Sequence, residues 1–403
     1  MAFVFTDALR GILPPTMPRA DQVGIDGWSM LFAMTAAALT ALIFGVLPAL
    51  LGSRSDLAAG VKEGGYSLLA PRKERLRDYF IVGQIALGLV LANGAGLLVR
   101  SYMELTGQEY GFEAEGTLTM SLRAAGPRYE EIEARHAFYE QVAERVEALP
   151  GVGAAGVVTK LPLAGGSNAN ARVEGRPPPA STDEGPLVEV SGVAGRYFEA
   201  MGIPLIRGRT LASADTIQGA IGVVVNQALA EELWPEQDPL GRRFGFGMGL
   251  DEEEDPWFTV VGVVGNVRQW SAERPPIAEA YFPYARGWGG AGYVVMRATG
   301  DPATLTADAR AAIASVDPTQ PPSDVLAMSD RMDLAFAQRR FYTTLIALFA
   351  FSALFLAAAG IYGTVSYFVA RRVRELGIRM ALGAGGTGIV GLVLRRGVRL
   401  AIW

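Results

Sequence analysis

The chain has 403 residues, half of them hydrophobic, and a formal net charge of −5. Residues 101–338 hold 18 of the 36 basic and 33 of the 41 acidic residues, so an acidic block lies between basic, apolar flanks. This distribution is typical of an exported domain and argues against a nucleic-acid binder, which needs a basic face. With no cysteine and a single histidine, the chain offers neither disulfides nor a zinc site of the His/Cys type.

Three apolar segments predict membrane-spanning helices. Trp28–Leu51, Tyr79–Val99 and Phe341–Ala370 carry no charged side chain, and a helix needs about 20 apolar residues to cross a bilayer. We therefore expect transmembrane helices over residues 28–51, 79–100 and 339–370.

The charges between these segments predict the orientation of the chain. Residues 52–78 are rich in lysine and arginine, so the positive-inside rule places this linker in the cytosol. Residues 1–27 then form an extracytoplasmic loop, residues 101–338 form an extracytoplasmic domain, and residues 371–403 return to the cytosol.

The residue pattern of the acidic block predicts a folded domain of mixed secondary structure. Alternating apolar residues predict strands, and apolar stripes at helical spacing predict helices. The predicted strands are Thr117–Arg123, Val152–Thr159, Ile221–Val225, Phe258–Val264 and Tyr293–Ala298. The predicted helices are Tyr129–Leu149, Gly195–Met201, Gln227–Leu233 and Pro302–Val316. Together they predict an α+β domain in two lobes, with an inserted, mostly β lobe around residues 200–290.

A single long helix is expected to leave this domain. No proline occurs from Ser323 to the end of the chain, so nothing obvious interrupts a helix from about Ser329 through Ala370. Such a helix would be about 60 Å long at 1.5 Å per residue, about twice the hydrocarbon thickness. Its first turns would stand outside the membrane, where Leu97–Glu104 is expected to pair with it.

The segment after this helix allows two interpretations. Residues 371–382 place Val373, Leu376 and Met380 on one helical stripe, beside charged residues. The segment is either an amphipathic helix held at the interface by anionic lipid or an element that docks on a partner protein.

Several stretches resemble a known family. AGIYGTVSYFVARRVRELGIRMALGA is similar to the transmembrane and coupling-helix signature of MacB/FtsX-type ABC transporter permeases. GRYFEAMGIPLIRGRTLASAD, VVVNQALAEELWPEQDPLGRRF and VVGVVGNVRQ resemble the extracytoplasmic domain of that family. Ala38–Leu51 with DLAAGVKEGG resembles the end of a preceding permease unit. The chain is most like the duplicated orphan permeases of acidobacteria.

The resemblance implies an α-helical membrane protein, with three spans in this chain, in the bacterial inner membrane. It implies that the chain is a fragment or a miscalled gene, because two more membrane helices would follow in the family. It also implies two permease units per assembly, membrane lipid around the spans, and an ABC ATPase as partner that itself binds ATP and Mg²⁺. A periplasmic adaptor or an outer-membrane channel is a further expected partner. The residues that the resemblance assigns to ATPase coupling are Arg374, Glu375, Leu376, Gly377, Ile378, Arg379, Met380, Ala381, Leu382 and Gly383.

The residues themselves indicate no catalytic or metal site. The phosphate-binding pattern G-x-x-x-x-G-K-[ST] is absent. His136 falls on the apolar stripe of its helix and is expected to be a packed core residue. The acidic run Asp251–Asp255 lacks the spacing and the glycine of a calcium loop. We therefore expect no enzyme and no cofactor in this chain.

Three functions from different classes follow from these expectations. The first is a permease that couples ATP hydrolysis by a separate ATPase to movement of the extracytoplasmic domain, for export or extraction of a substrate. The second is a signalling permease that controls a cell-wall hydrolase or senses peptides. The third is a membrane anchor or a non-functional fragment.

Overall fold

The computed structural model describes residues 24, 26–42, 70–177, 185–212, 215, 221–246, 256–271, 274–284, 291–371 and 378. The chain divides into two compact units. One comprises Met1–Glu104 and Ala337–Trp403, and the other comprises Leu105–Phe336. The second unit overlaps the range 101–338, for which an extracytoplasmic domain stays a prediction.

The α-helices are α1 (Gly27–Ala41), α2 (Ala70–Thr106), α3 (Ile132–Glu147), α4 (Tyr197–Met201), α5 (Gln227–Leu233), α6 (Thr306–Val316) and α7 (Met328–Arg371). The strands are β1 (Thr117–Arg123), β2 (Val152–Val158), β3 (Asn168–Val173), β4 (Leu187–Gly195), β5 (Leu205–Gly208), β6 (Ile221–Asn226), β7 (Arg243–Phe246), β8 (Phe258–Val264), β9 (Glu279–Pro283), β10 (Ala291–Ala298) and β11 (Ser323–Ala327). Short 3₁₀ turns occupy Pro127–Tyr129 and Pro302–Leu305.

Two apolar helices of the described residues are long enough to cross a membrane. They are Ile85–Thr106, which is 22 residues long, and Met328–Gly363, which is 36 residues long. The third predicted span is described only as the shorter apolar helix α1, which begins at the side-chain cap of Asp26. Residues 43–51 of that predicted span lie outside the described residues, so three spans stay a prediction.

Helix α2 begins earlier than the predicted span. Ala70 is already helical, so the last part of the predicted linker 52–78 belongs to this helix, and residues 52–69 lie outside the described residues. Within the first unit α2 packs on α7 at Gly88, where an added Cβ would lie 3.4 Å from Leu354 Cδ2. The expected pairing near Leu97–Glu104 is present as well, because Arg339 Nη2 donates to Ser101 Oγ at 3.1 Å.

The strands of the second unit form one continuous sheet. The eleven described strands follow the order β11-β1-β10-β2-β4-β3-β7-β8-β6-β9, with β5 on β8 and a further pairing of β4 with β9. Strands β1 and β2 both pair antiparallel with β10, which lies between them. The predicted start of a βαβ pattern is therefore a split βαβ unit, with α3 as its helix.

Alternation along the strands explains why part of this sheet is buried on both faces. On β2, Ala155 and Val157 join a cluster with α3 and α6, whereas Ala154 and Val158 join a cluster with α4. Successive side chains of a strand point to opposite faces, so both faces of β2 are covered by helices.

A third apolar cluster surrounds α5. Aromatic and aliphatic side chains of β6, β7, β8 and β9 pack there against Leu229 and Leu233. These strands come from the region between residues 200 and 290 that was expected to form a separate lobe. They continue the same sheet as the strands outside that region, so the two-lobe interpretation also stays a prediction.

Strand β4 is the branch point of the sheet. On one edge it pairs with β3 near Glu189 and with β2 near Val193. On its other edge it runs parallel to β9, with Glu189 opposite Glu279 and Val193 opposite Pro283. The loop of residues 159–167 joins β2 to β3 along the first edge.

Candidate functional site at the base of the last helix

The predicted ATPase-coupling segment is described at one position only. Ile378 is helical, and its side chain is 55% exposed. The other assigned residues, Arg374, Glu375, Leu376, Gly377, Arg379, Met380, Ala381, Leu382 and Gly383, lie outside the described residues. Their coupling role therefore stays a prediction, whereas the opposite end of α7 is described in full.

Helix α7 begins inside the folded domain. It follows β11 directly, and β11 pairs with β1 through Leu118 opposite Ala327. Met328, the first helical residue, is 1% exposed and belongs to the apolar cluster around α4. The start of the helix is therefore fixed by burial as well as by the strand that precedes it.

Arg331 ties the first turn of α7 to the sheet. Its Nε donates to Thr119 Oγ1 at 2.6 Å, and its Nη1 donates to Asp324 Oδ2 at 2.7 Å. Its Nη2 donates to the carbonyl oxygen of Asp324 at 2.5 Å. The guanidinium carbon also lies 5.5 Å from the ring centroid of Tyr293. One side chain thus contacts β1, β11 and β10, which the rigid planar fork of arginine permits and a lysine would not.

The partners of Arg331 are themselves held in place. Thr119 is buried, and its hydroxyl donates to the carbonyl of Leu326 at 2.8 Å while it accepts from Arg331. Asp324 has a φ of 48°, in the left-handed region, which aspartate tolerates better than most side chains. We call Arg331, Thr119 and Asp324 the helix clamp.

An apolar cluster lies one to two turns further along α7. Met332 and Phe336 pack with Leu105, Tyr110 and Phe112, and the rings of Tyr110 and Phe336 are 5.9 Å apart. The Tyr110 hydroxyl donates to the carbonyl of Leu105. Since Leu105 belongs to the last turn of α2, the ends of α2 and α7 share this cluster within the second unit.

The segment between α2 and β1 is fixed by two further contacts. Gly111 has a φ of +80°, and an added Cβ would lie 1.8 Å from the carbonyl oxygen of Asn266, so only glycine fits there. Glu113 accepts from Arg297 Nη1 at 2.7 Å, and its backbone N–H donates to the carbonyl of Met201 at 2.8 Å. The chain thus enters and leaves the domain through segments that are bonded to the same sheet.

The residues described here form no metal centre. No group of three or more His, Asp or Glu side chains that could hold a metal ion occurs in the described part of the chain. His136 is half-buried on α3, its Nε2 lies 4.0 Å from Glu140 Oε1, and burial lowers the pKa of its imidazole. The acidic run Asp251–Asp255 lies outside the described residues.

Sequence reasoning did not single out the helix clamp. The available signal was a cation in the first turn of a long helix, four residues after the end of a strand. It was weak, because a charged residue in the first turns of a helix is most often solvated. The buried threonine that receives Arg331 comes from β1, far away in the sequence.

Comparisons with known proteins give a family match that covers most of the second unit and ends before β11 and α7. Residues 85–316, more than half of the chain, match the model of the MacB-like periplasmic core domain. The chain is 14% identical to the periplasmic region of MacB from Actinobacillus actinomycetemcomitans, over 57% of this chain and 96% of that one, with a TM-score of 0.36. It is 16% identical to the extracellular domain of the noncanonic ABC-type transporter YknZ from Gram-positive bacteria, over 52% of this chain and 99% of that one, with a TM-score of 0.33. The comparison with curated proteins gave no match.

Proposed function

This chain belongs to the MacB-like periplasmic core domain family and is a permease of the MacB/FtsX type, and we propose that it works by mechanotransmission. In this mechanism, ATP binding and hydrolysis by a separate ABC ATPase move the cytosolic end of α7. The helix carries the movement to the extracytoplasmic domain, which exports or extracts a substrate that is already outside the cytosol.

The observation that carries this proposal is the continuity of α7. The helix runs without interruption for 44 residues from Met328 to Arg371, which corresponds to about 66 Å. Its first turn is bonded to three strands by Arg331. A continuous helix that is fixed at one end is suited to transmitting displacement rather than to lining a tunnel.

The helix clamp supports transmission of a displacement from α7 to the sheet, because packed interiors do not deform gradually. A displacement of α7 at Arg331 must either break three hydrogen bonds or move β1, β10 and β11 with it. Close-packed interiors transmit strain, and small shifts at one site are amplified where a packed arrangement has two alternatives. The sheet that carries the domain would therefore follow the helix.

The proposed assembly extends beyond this chain. The ATPase binds ATP and Mg²⁺ and receives the coupling segment Arg374–Gly383. Two permease units, in the bacterial inner membrane and surrounded by lipid, present their domains on the extracytoplasmic side. A periplasmic adaptor or an outer-membrane channel would receive the substrate there.

Hydrogen exchange in lipid nanodiscs tests the mechanism. The chain and its ATPase are assembled together, and amide exchange is measured with and without a non-hydrolysable ATP analogue. We expect the analogue, which binds in the cytosol, to change the protection of residues 117–123 and 323–336. If the ATPase binds both the permease and the nucleotide while these segments keep the same protection, mechanotransmission is wrong.

A further inference from the structure

A second group of charged residues lies in the core of the domain, away from the helix clamp. Glu189 and Glu279 occupy opposite positions of the parallel strands β4 and β9. Both are buried, with exposures of 0% and 1%. Neighbouring residues in register project to the same face of a sheet, so the two carboxyl groups share one buried environment.

One cation accompanies these two carboxyl groups. Lys160, which follows β2, pairs with Glu189 Oε1, and only 14% of the lysine side chain is exposed. The indole N–H of Trp270 donates to Glu189 Oε2 at 2.9 Å. Lys160 and Trp270 thus satisfy the Glu189 carboxylate, and the described residues place no ion pair on Glu279.

Glu279 is surrounded by neutral polar groups. Its Oε1 accepts from Ser191 Oγ at 2.7 Å and from Gln269 Nε2 at 2.9 Å. Its Oε2 accepts from Tyr281 Oη at 2.7 Å. The Tyr197 hydroxyl faces it from α4, and Asn226 of β6 binds its backbone N–H. Within the described part of the chain, these groups together with Lys160 and Glu189 are the polar and charged neighbours of Glu279.

Two polar atoms in this environment have no hydrogen-bond partner among the described residues. They are Gln269 Oε1 and the Tyr197 hydroxyl, and both residues are almost fully buried. A glutamine amide carries a donor nitrogen and an acceptor oxygen, which exchange places when the amide rotates by half a turn. Rotating the Gln269 amide by half a turn would bring Oε1 to Glu279, where it would accept a hydrogen bond from a protonated carboxyl.

We propose that Glu189, Glu279 and Lys160 form a proton-binding site of the extracytoplasmic domain, in which Glu279 carries the proton. Without that proton, two carboxylates and one ammonium would leave an uncompensated negative charge in the core. Buried charges are costly unless paired, and two carboxylates that share a site cannot both ionise readily. Burial also raises the pKa of Glu279, although Lys160 and the donors Ser191, Tyr281 and Gln269 oppose the shift.

Binding of this proton controls how tightly two loops are held. The loop 159–167 contributes Lys160, and its Gly166 packs so closely that an added Cβ would lie 1.5 Å from Glu189 Oε1. Its Gly165 N–H donates to the carbonyl of Gln269 at 3.1 Å, in the loop that also bears Trp270. When the proton leaves, the two carboxylates repel each other and compete for Lys160, so both loops loosen along the branch strand β4.

This inference is independent of mechanotransmission, since it concerns the domain alone. It is tested on the full chain in nanodiscs by infrared difference spectroscopy, which separates the carbonyl stretch of a protonated carboxyl from carboxylate bands. We expect the wild type to lose such a band as the pH rises above the range in which ordinary glutamates titrate. Hydrogen exchange in residues 159–167, corrected for its intrinsic pH dependence, should increase over the same range.

Three variants decide the outcome. Glu279→Gln should lack the band and keep the loop protected at every pH, whereas Glu174→Gln, which alters an exposed ion pair with Arg243, should behave like the wild type. Lys160→Met should raise the pH at which the band is lost by about 1–3 units, because a nearby opposite charge lowers the pKa of a carboxyl by about that amount. If Glu279→Gln retains the wild-type band, or if Lys160→Met leaves its titration unchanged, the proposal is overturned.

Discussion

Glu189 and Glu279 lie side by side, in register, on the parallel strands β4 and β9, and both are buried. Burial raises the pKa of Glu279 above its usual range. Because its folded pKa exceeds the unfolded one, Glu279 contributes stability in full below the unfolded pKa. That contribution is lost as the pH rises through the folded pKa. The domain is therefore expected to be less stable at alkaline than at mildly acidic pH on account of this residue.

The first prediction follows from the direction in which the stability contribution of Glu279 changes with pH. Glu279→Gln removes the titrating group and keeps the side-chain volume, so the free energy of unfolding should depend less on pH than in the wild type. Relative to the wild type, the variant should gain stability as the pH rises above the ordinary glutamate pKa of about 4.3, because only the wild type then loses the contribution of the bound proton. Thermal unfolding of the full chain in detergent, followed by tryptophan fluorescence, measures this. Identical pH dependences in the two proteins would contradict it.

The second prediction concerns the helix clamp. Arg331→Met should destabilise the domain by about 1.5–3 kcal/mol, the range for hydrogen bonds to charged groups. Hydrogen exchange should rise in residues 117–123 and 323–336. Arg331→Lys should recover only part of the loss, because an ammonium cannot bridge Thr119 and Asp324 as the guanidinium fork does.

A matched arginine separates this effect from the loss of any surface charge. Arg207 is exposed, and its Nη1 lies 3.9 Å from Asp238 Oδ1, also at the surface. Arg207→Met should cost about 0–1 kcal/mol, as exposed ion pairs do. Equal losses of unfolding free energy in Arg331→Met and Arg207→Met would show that Arg331 does not fix the helix to the sheet.

The third prediction uses two glycines that share a backbone conformation and differ in their surroundings. Gly116 has a φ of +71°, and an added Cβ would lie 3.5 Å from the nearest atom, so Gly116→Ala should cost about 1–2 kcal/mol of backbone strain. At Gly111 the Cβ would collide with the Asn266 carbonyl at 1.8 Å. Gly111→Ala should therefore cost clearly more than Gly116→Ala. Similar melting temperatures for the two variants would mean that the segment 105–116 is not fixed against the loop of Asn266.

Much of the local structure could be predicted from the sequence. The spacing of apolar residues predicted β1 and α5 with the bounds that they have in the structure. On α3 it predicted the buried side chains of Tyr139, Val142 and Val146. Ile132, the first residue of α3, is 46% exposed.

The sites were harder to predict because their residues meet through sheet register. Nothing near Glu279 indicates that β9 runs beside β4, so the sequence does not reveal that its carboxyl group faces Glu189. The same holds for Arg331 and Thr119, which are brought together by the pairing of β1 with β11. Periodicity reports which face of an element is buried, but it does not report which strands become neighbours.

The last prediction concerns the coupling segment. Glu375 precedes Arg379 by four residues, so the two can pair along a helical face, worth about 0.3–0.5 kcal/mol if exposed. In a docked interface the loss would be larger, since truncating one partner of a desolvated charge pair costs about 2–5 kcal/mol. In the permease assembled with its ATPase, Glu375→Ala and Gly377→Leu should reduce co-purification with the ATPase and its stimulated ATP hydrolysis in liposomes. Membrane insertion and the fold of residues 105–336 should be unchanged. If both variants retain the ATPase and its stimulated turnover, the segment is an interfacial helix held by lipid, and α7 must receive its movement elsewhere.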